Sequence, residues 1–147
     1  MIRNILCAAL LIALPTAAAA GLWPPARTYK KMDMFGNGYK DSVQKDGTWR
    51  IVANARPVDG PEFGRDMAFY RAAEMTTAAG QSHFQILDMQ ASTMKVYGGD
   101  AKYTVKLIVR PSDSAEAPSD CRAKDRTVCV TLVAELIRAR IGPTLVR

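Results

Sequence analysis

Residues 59–80 read DGPEFGRDMAFYRAAEMTTAAG, and this stretch decides what kind of domain the chain can build. Asp59 stands where a helix N-cap belongs, Pro61 fits a first turn that does not need its N–H, and Glu62 follows three residues after the cap. Phe63, Met67, Tyr70, Ala73 and Thr77 recur at helical spacing, with Phe69, Ala72 and Thr76 beside them. Arg65, Asp66, Arg71 and Glu74 take much of the remaining surface. This pattern predicts a helix over about 61–79, stopped by Gly80, that lies on an apolar partner. Ala72 and Ala73 let it lie close.

The flanking segments supply that partner. Residues 39–43 and 49–54 alternate around Asp46-Gly47, which predicts a β-hairpin because glycine accepts the positive φ of the turn. Residues 84–89 form an apolar run that reads as a buried strand continuing towards Val96, followed by a turn at Gly98-Gly99-Asp100. Tyr103, Val105, Leu107 and Val109 alternate with Thr104, Lys106, Ile108 and Arg110, the clearest strand in the chain, and Pro111 is expected to end it. Residues 112–127 are polar and read as an exposed loop. A short strand within 128–133 and a helix over 134–141, stopped by Gly142-Pro143, complete the chain. The expected fold class is α+β: a two-layer sandwich in ββαββα order, with helices on one face of a mainly antiparallel sheet.

The amino-terminal end has another character. Arg3 precedes an unbroken apolar run over 5–14, then Pro15 and four alanines at 17–20. Charge, apolar core and small residues in this order are a secretory signal peptide, residues 1–20, with cleavage expected before Gly21. The apolar core is about half of the roughly 20 residues that a spanning helix needs, so no transmembrane span is expected after cleavage. Cys7 lies inside that core, too early for a lipidation site. Residues 21–37, with Trp23-Pro24-Pro25, read as a tail, and residues 38–147 as a single domain. The expected location is periplasmic or secreted.

Charge and cysteines narrow the chemistry. The chain is +6, so anionic surfaces attract it, but no block of five like charges marks a nucleic-acid binder. In an exported protein, Cys121 and Cys129 are expected to form a disulfide that closes the polar loop. A zinc site needs four ligands, and His83 is the chain's one histidine, so neither metal nor cofactor is expected.

Several strings recur at a familiar spacing: Gly38-Tyr39-Lys40-Asp41, Tyr70-Arg71-Ala72-Ala73-Glu74, Gly80, and Phe84-Gln85-Ile86-Leu87-Asp88. Over residues 38–109 the chain resembles a family of small bacterial envelope lipoproteins, known mainly from alphaproteobacteria and without an assigned activity. The resemblance implies an envelope compartment and this kind of fold, and carries no catalytic residues. The chain has no lipobox.

No catalytic set stands out. Ser82 and His83 are neighbours, which a strand would turn to opposite faces, and no nucleophile elbow accompanies them. Asp88 sits in an apolar run where an unpaired charge is costly, and a strand end or a partner such as Arg71 would account for it. If the long helix covers one sheet face, the other is left to Arg50, Lys106 and Arg110, mixed with Ile108 and Val52. That basic, partly apolar face is the candidate binding surface for an envelope protein or an anionic envelope polymer. The reading favours a binding or structural module. The alternative is a small periplasmic hydrolase or redox protein drawing on Asp88, His83 or the cysteines.

Overall fold

The computed structural model describes residues 27–95 and 101–145. The signal peptide, the Trp23-Pro24-Pro25 segment and the Gly98-Gly99 turn of the sequence reading lie outside the described residues. The elements are β1 (Gly38–Val43), β2 (Trp49–Ala55), α1 (Gly60–Ala78), β3 (His83–Lys95), β4 (Ala101–Ser112), β5 (Thr131–Val133) and α2 (Ala134–Ile141). The fold is α+β, with one antiparallel five-stranded sheet in the order β1-β2-β4-β3-β5 and two helices. Between β4 and α2 the chain adds a strand that the ββαββα order does not count. β5 pairs with only the first three residues of β3, His83 to Gln85.

The hairpin forms around Asp46-Gly47 as its alternation requires. Gly47 takes φ 79°, and Asp46 Oδ1 accepts from the Thr48 amide at 3.1 Å and its hydroxyl at 2.7 Å. Trp49, Ile51, Ala53 and Ala55 are then buried on one side of β2, matched by Val105, Leu107 and Val109 of β4. α1 packs on these strands through Phe63, Met67, Tyr70, Ala72 and Ala73, and α2 packs on α1 and β5. Thr76 is wholly buried and satisfies its hydroxyl on the Ala72 carbonyl at 2.7 Å, whereas Thr77, placed on the stripe by spacing, is exposed. No helix among the described residues is long and apolar enough to cross a membrane.

Two local expectations are corrected, and one strand carries an irregularity. Asp59 occupies the N-cap position of α1 but makes no capping bond. Its carboxylate is 4 % exposed and is held by Arg56 at 2.7 and 2.9 Å, an ion pair that outcompetes the backbone N–H groups. Pro111 does not end β4, which pairs through Ser112. β2 stops opposite Val109, so one side of β4 is already open there, and a proline without an N–H is tolerated. Finally, β3 is not a simple alternation: a β-bulge at Leu87 shifts its register against β4.

The described part of the tail joins the domain. Lys31 bridges Tyr39 in parallel, and Tyr39 donates its amide to the Lys30 carbonyl at 2.9 Å. Tyr29 is buried, stacked on Tyr39 at 4.7 Å and edge-on to Tyr70 at 5.0 Å. The chain passes so near β1 that a Cβ on Gly38 (φ 113°) would come within 2.6 Å of the Lys30 carbonyl oxygen.

Candidate functional site

Antiparallel register writes the sheet face turned away from α1 in rows. Ser42, Arg50, Ile108 and Asp88 form one row across β1, β2, β4 and β3. Lys40, Val52, Lys106 and Gln90 form the next. Without the Leu87 bulge, strand alternation would turn Asp88 towards the core. The additional residue puts Asp88 on the open face and returns Met89 to the core side, where it packs against the apolar cluster. The carboxylate of Asp88 accepts from Gln90 Nε2 at 3.0 Å. Arg71, expected as its partner, bonds Asp41 and Glu74 on the other side of the sheet.

These rows frame a shallow depression of about 270 Å³ lined by Gln44, Arg50, Asp88, Gln90, Lys106 and Ile108. Arg50 and Lys106 are exposed and make no ion pair among the described residues; Ile108 is half-buried between them. The fourth residue of the predicted face, Arg110, is held by Asp120, with Nη1 at 3.0 Å from Oδ1. Of the three cations expected on this face, two therefore make no ion pair among the described residues.

The disulfide loop accounts for the difference. Cys121 and Cys129 are bonded, with their Cα atoms 5.7 Å apart. The loop is laced across the end of the open face. Arg122 reaches Asp46 in the β1–β2 turn at 2.8 Å, and the amides of Arg122 and Ala123 both donate to the Leu87 carbonyl that the bulge releases. The Thr48 hydroxyl and then the Arg122 guanidinium hold the Asp46 carboxyl far below the ordinary carboxylate range, and Arg110 does the same, less strongly, for Asp120.

Two of the strings singled out in the sequence, residues 38–41 and 70–74, meet on the other side of the sheet. Arg71 Nε donates to Asp41 at 2.8 Å, and Nη1 donates to Glu74 at 3.3 Å. The guanidinium lies 5.0 Å from the centre of the Tyr39 ring, and the Tyr29 hydroxyl donates to Glu74. Burial, followed by that bond to Glu74, raises the Tyr29 hydroxyl well above the usual phenol range. The three charged side chains are 22–24 % exposed. Helical spacing puts Arg71 and Glu74 on the remaining surface of α1; Asp41 and Tyr29 make them a half-buried cluster that joins β1 and the tail to α1. Spacing could not reveal this, because Tyr29 and Asp41 lie outside the helix. The one sequence signal was Gly38.

The residues of the catalytic alternative form no connected set among the described residues, although Cys129 Sγ lies 3.2 Å from the Leu87 carbonyl, next to Asp88. Ser82 lies in the bend before β3, not in the strand, so its hydroxyl does contact His83, 2.7 Å from Nδ1, contrary to the opposite-face expectation. Asp113 accepts from the Ser82 backbone amide, not from the imidazole. No hydrogen bond among the described residues joins His83, Asp88 and the disulfide to one another. Among the described residues no group of three His, Cys, Asp or Glu side chains could hold a metal ion. Compared with protein-family models, with curated proteins and with solved structures, the chain matches none.

Proposed function

We propose that this chain is an exported cell-envelope protein, periplasmic or secreted, that acts by binding, and that its open sheet face holds an acidic or amphipathic envelope partner. The observation that carries this reading is the pairing state of the cations. Arg50 and Lys106 flank Ile108 on a concave patch and form no ion pair among the described residues, although Asp88, bonded to Gln90, lines the same patch. Unpaired charge steers an encounter, and the half-buried isoleucine gives a docked partner apolar area to cover.

We read the layers as two, with α1 and α2 sharing one face, since Ala134 and Ile141 of α2 belong to the same apolar cluster as α1 and β2. That leaves the opposite face for a partner. The amino-terminal signal pattern, the disulfide and the likeness to small envelope lipoproteins support the compartment. An anionic envelope polymer and an acidic patch on an envelope protein present the same chemistry to Arg50 and Lys106.

Two measurements test the reading. Intact-mass analysis of protein recovered from the envelope should show a chain that begins at Gly21; a membrane-held species still carrying residues 1–20 contradicts export with cleavage. Reversing charge at Arg50 and Lys106 together should abolish partner binding while the fold survives, because both side chains are exposed.

A further inference from the structure

A second surface lies at the end of the sheet where β1 begins, β2 ends and the β3–β4 hairpin projects. There Asp33, Met34, Phe35 and Gly36 form a tight turn, with the Gly36 amide donating to the Asp33 carbonyl at 2.9 Å. Asp33 Oδ1 accepts from the Phe35 and Asn37 amides at 2.9 and 3.0 Å. Lys102 Nζ donates to the Phe35 carbonyl at 2.9 Å, and Asn54 Nδ2 donates to the Gly36 carbonyl at 2.7 Å. The turn is thus braced to β2 and β4. Yet what it presents is apolar: Met34 is 90 % exposed and Phe35 75 %. Met94, opposite Lys102 in the hairpin register, is 58 % exposed.

Among the described residues, the charge left unpaired around this tip has one sign. Asp33 is paired with Lys30, and Asp59 with Arg56. Lys31, Lys95 and Lys102 make no ion pair among the described residues. A bulky apolar pair in open water is unfavourable, and a protein groove would have to be concave to receive it. A fluid bilayer makes no such demand of shape. Its interface accepts apolar side chains, and its anionic headgroups attract lysine.

We propose that this end of the molecule docks on an anionic lipid bilayer, with Met34 and Phe35 entering the interface and Lys31, Lys95 and Lys102 meeting the headgroups. Because the turn is already fixed by six hydrogen bonds to its own backbone and to β2 and β4, the Asp33 amide to the Asn37 carbonyl among them, insertion orders little that was free. The inference goes beyond the binding function proposed for the open face and does not rest on it; different variants test the two.

The experiment is vesicle co-sedimentation of protein purified from the periplasm of an expressing bacterium, using phosphatidylcholine vesicles with and without phosphatidylglycerol. The wild type should partition to the phosphatidylglycerol vesicles, more weakly as salt rises. M34S/F35S should bind them at least roughly tenfold less, and K31E/K95E should lose roughly fivefold per lysine or more. Both should keep the wild-type near-ultraviolet circular dichroism. R50E/K106E should bind these vesicles through the tip, whatever becomes of its envelope partner. In an F35W variant, indole emission should shift to the blue on addition of phosphatidylglycerol vesicles. The proposal is overturned if the wild type ignores these vesicles, if M34S/F35S binds them as well as the wild type, or if Trp at position 35 reports no change, as it would if the tip served a protein partner.

Discussion

Two sets of charged residues lie on opposite sides of the same sheet, and they are finished differently. Against α1, Asp41, Arg71 and Glu74 are half-buried and pair with one another, and Tyr29 bonds Glu74. On the open face, Arg50 and Lys106 are exposed without a paired carboxylate among the described residues. The first set consumes its own charge to hold β1, the tail and the helix together. The second leaves charge for something else. Two strings singled out in the sequence, residues 38–41 and 70–74, meet in the first set and describe how the domain is assembled, whereas Arg50 and Lys106, on which the binding proposal rests, belong to none of those strings.

The contrast can be broken from the structural side first. Gly38→Ala should be the most damaging single change considered, costing about 2–3 kcal/mol. The new methyl would meet backbone oxygens of residues 30 and 31, not a movable side chain, at a φ that L residues avoid. Urea unfolding measures it; stability within error of wild type would mean that the tail is not seated on β1 as described. Arg71→Met should cost about 2 kcal/mol, less than a fully buried pair because water still reaches the three carboxylate and guanidinium groups. A double-mutant cycle with Asp41→Asn should show coupling; additive losses would remove the cluster from the account.

The disulfide loop lies across the end of the open face and sharpens the comparison. Replacing Cys121 and Cys129 with serine should cost up to about 2 kcal/mol through the unfolded chain. The local effect should be larger. The Arg122 and Ala123 amides, which donate to Leu87, should exchange with solvent much faster, while Ile51 and Leu107 in the core keep their protection. Acid should do the same more gently. Asp46 and Asp120 have carboxyls held below their unfolded range by their partners. Their contribution is therefore complete above about pH 4 and lost as the pH falls through the lower folded values. Amide exchange at Arg122 should be flat from pH 7 to 5, after correction for intrinsic rates, and should accelerate below about pH 4 before the core opens. Both carboxylates are exposed, so the effect on global stability should be slight.

Much of the fold was legible because periodicity is a direct trace of burial. The stripe of Phe63, Met67 and Tyr70 and the alternation of Val105, Leu107 and Val109 each allow one packed arrangement, and the helix and strands follow. What was not legible depended on a single register shift or on distant partners. No pattern in 84–89 announces that Leu87 is the additional residue, yet that bulge decides which face Asp88 joins. Arg110 looked as free as Arg50 because Asp120 lies in a loop without periodicity. Tyr29 looked like tail because its partners, Tyr39, Tyr70 and Glu74, are far along the chain.

The most direct test of the contrast is the pair of substitutions R50E/K106E, compared with Arg71→Met in the same capture experiment. Each purified variant would be used to capture partners from envelope extracts with quantitative mass spectrometry, alongside its thermal unfolding. R50E/K106E should unfold within about 2 °C of the wild type, since exposed positions change stability little, and should lose the wild type's partners. Arg71→Met, at a temperature where it remains folded, should capture them undiminished. Partners retained by R50E/K106E, or lost by folded Arg71→Met, would contradict the division of the sheet into a face that holds the domain together and a face that binds.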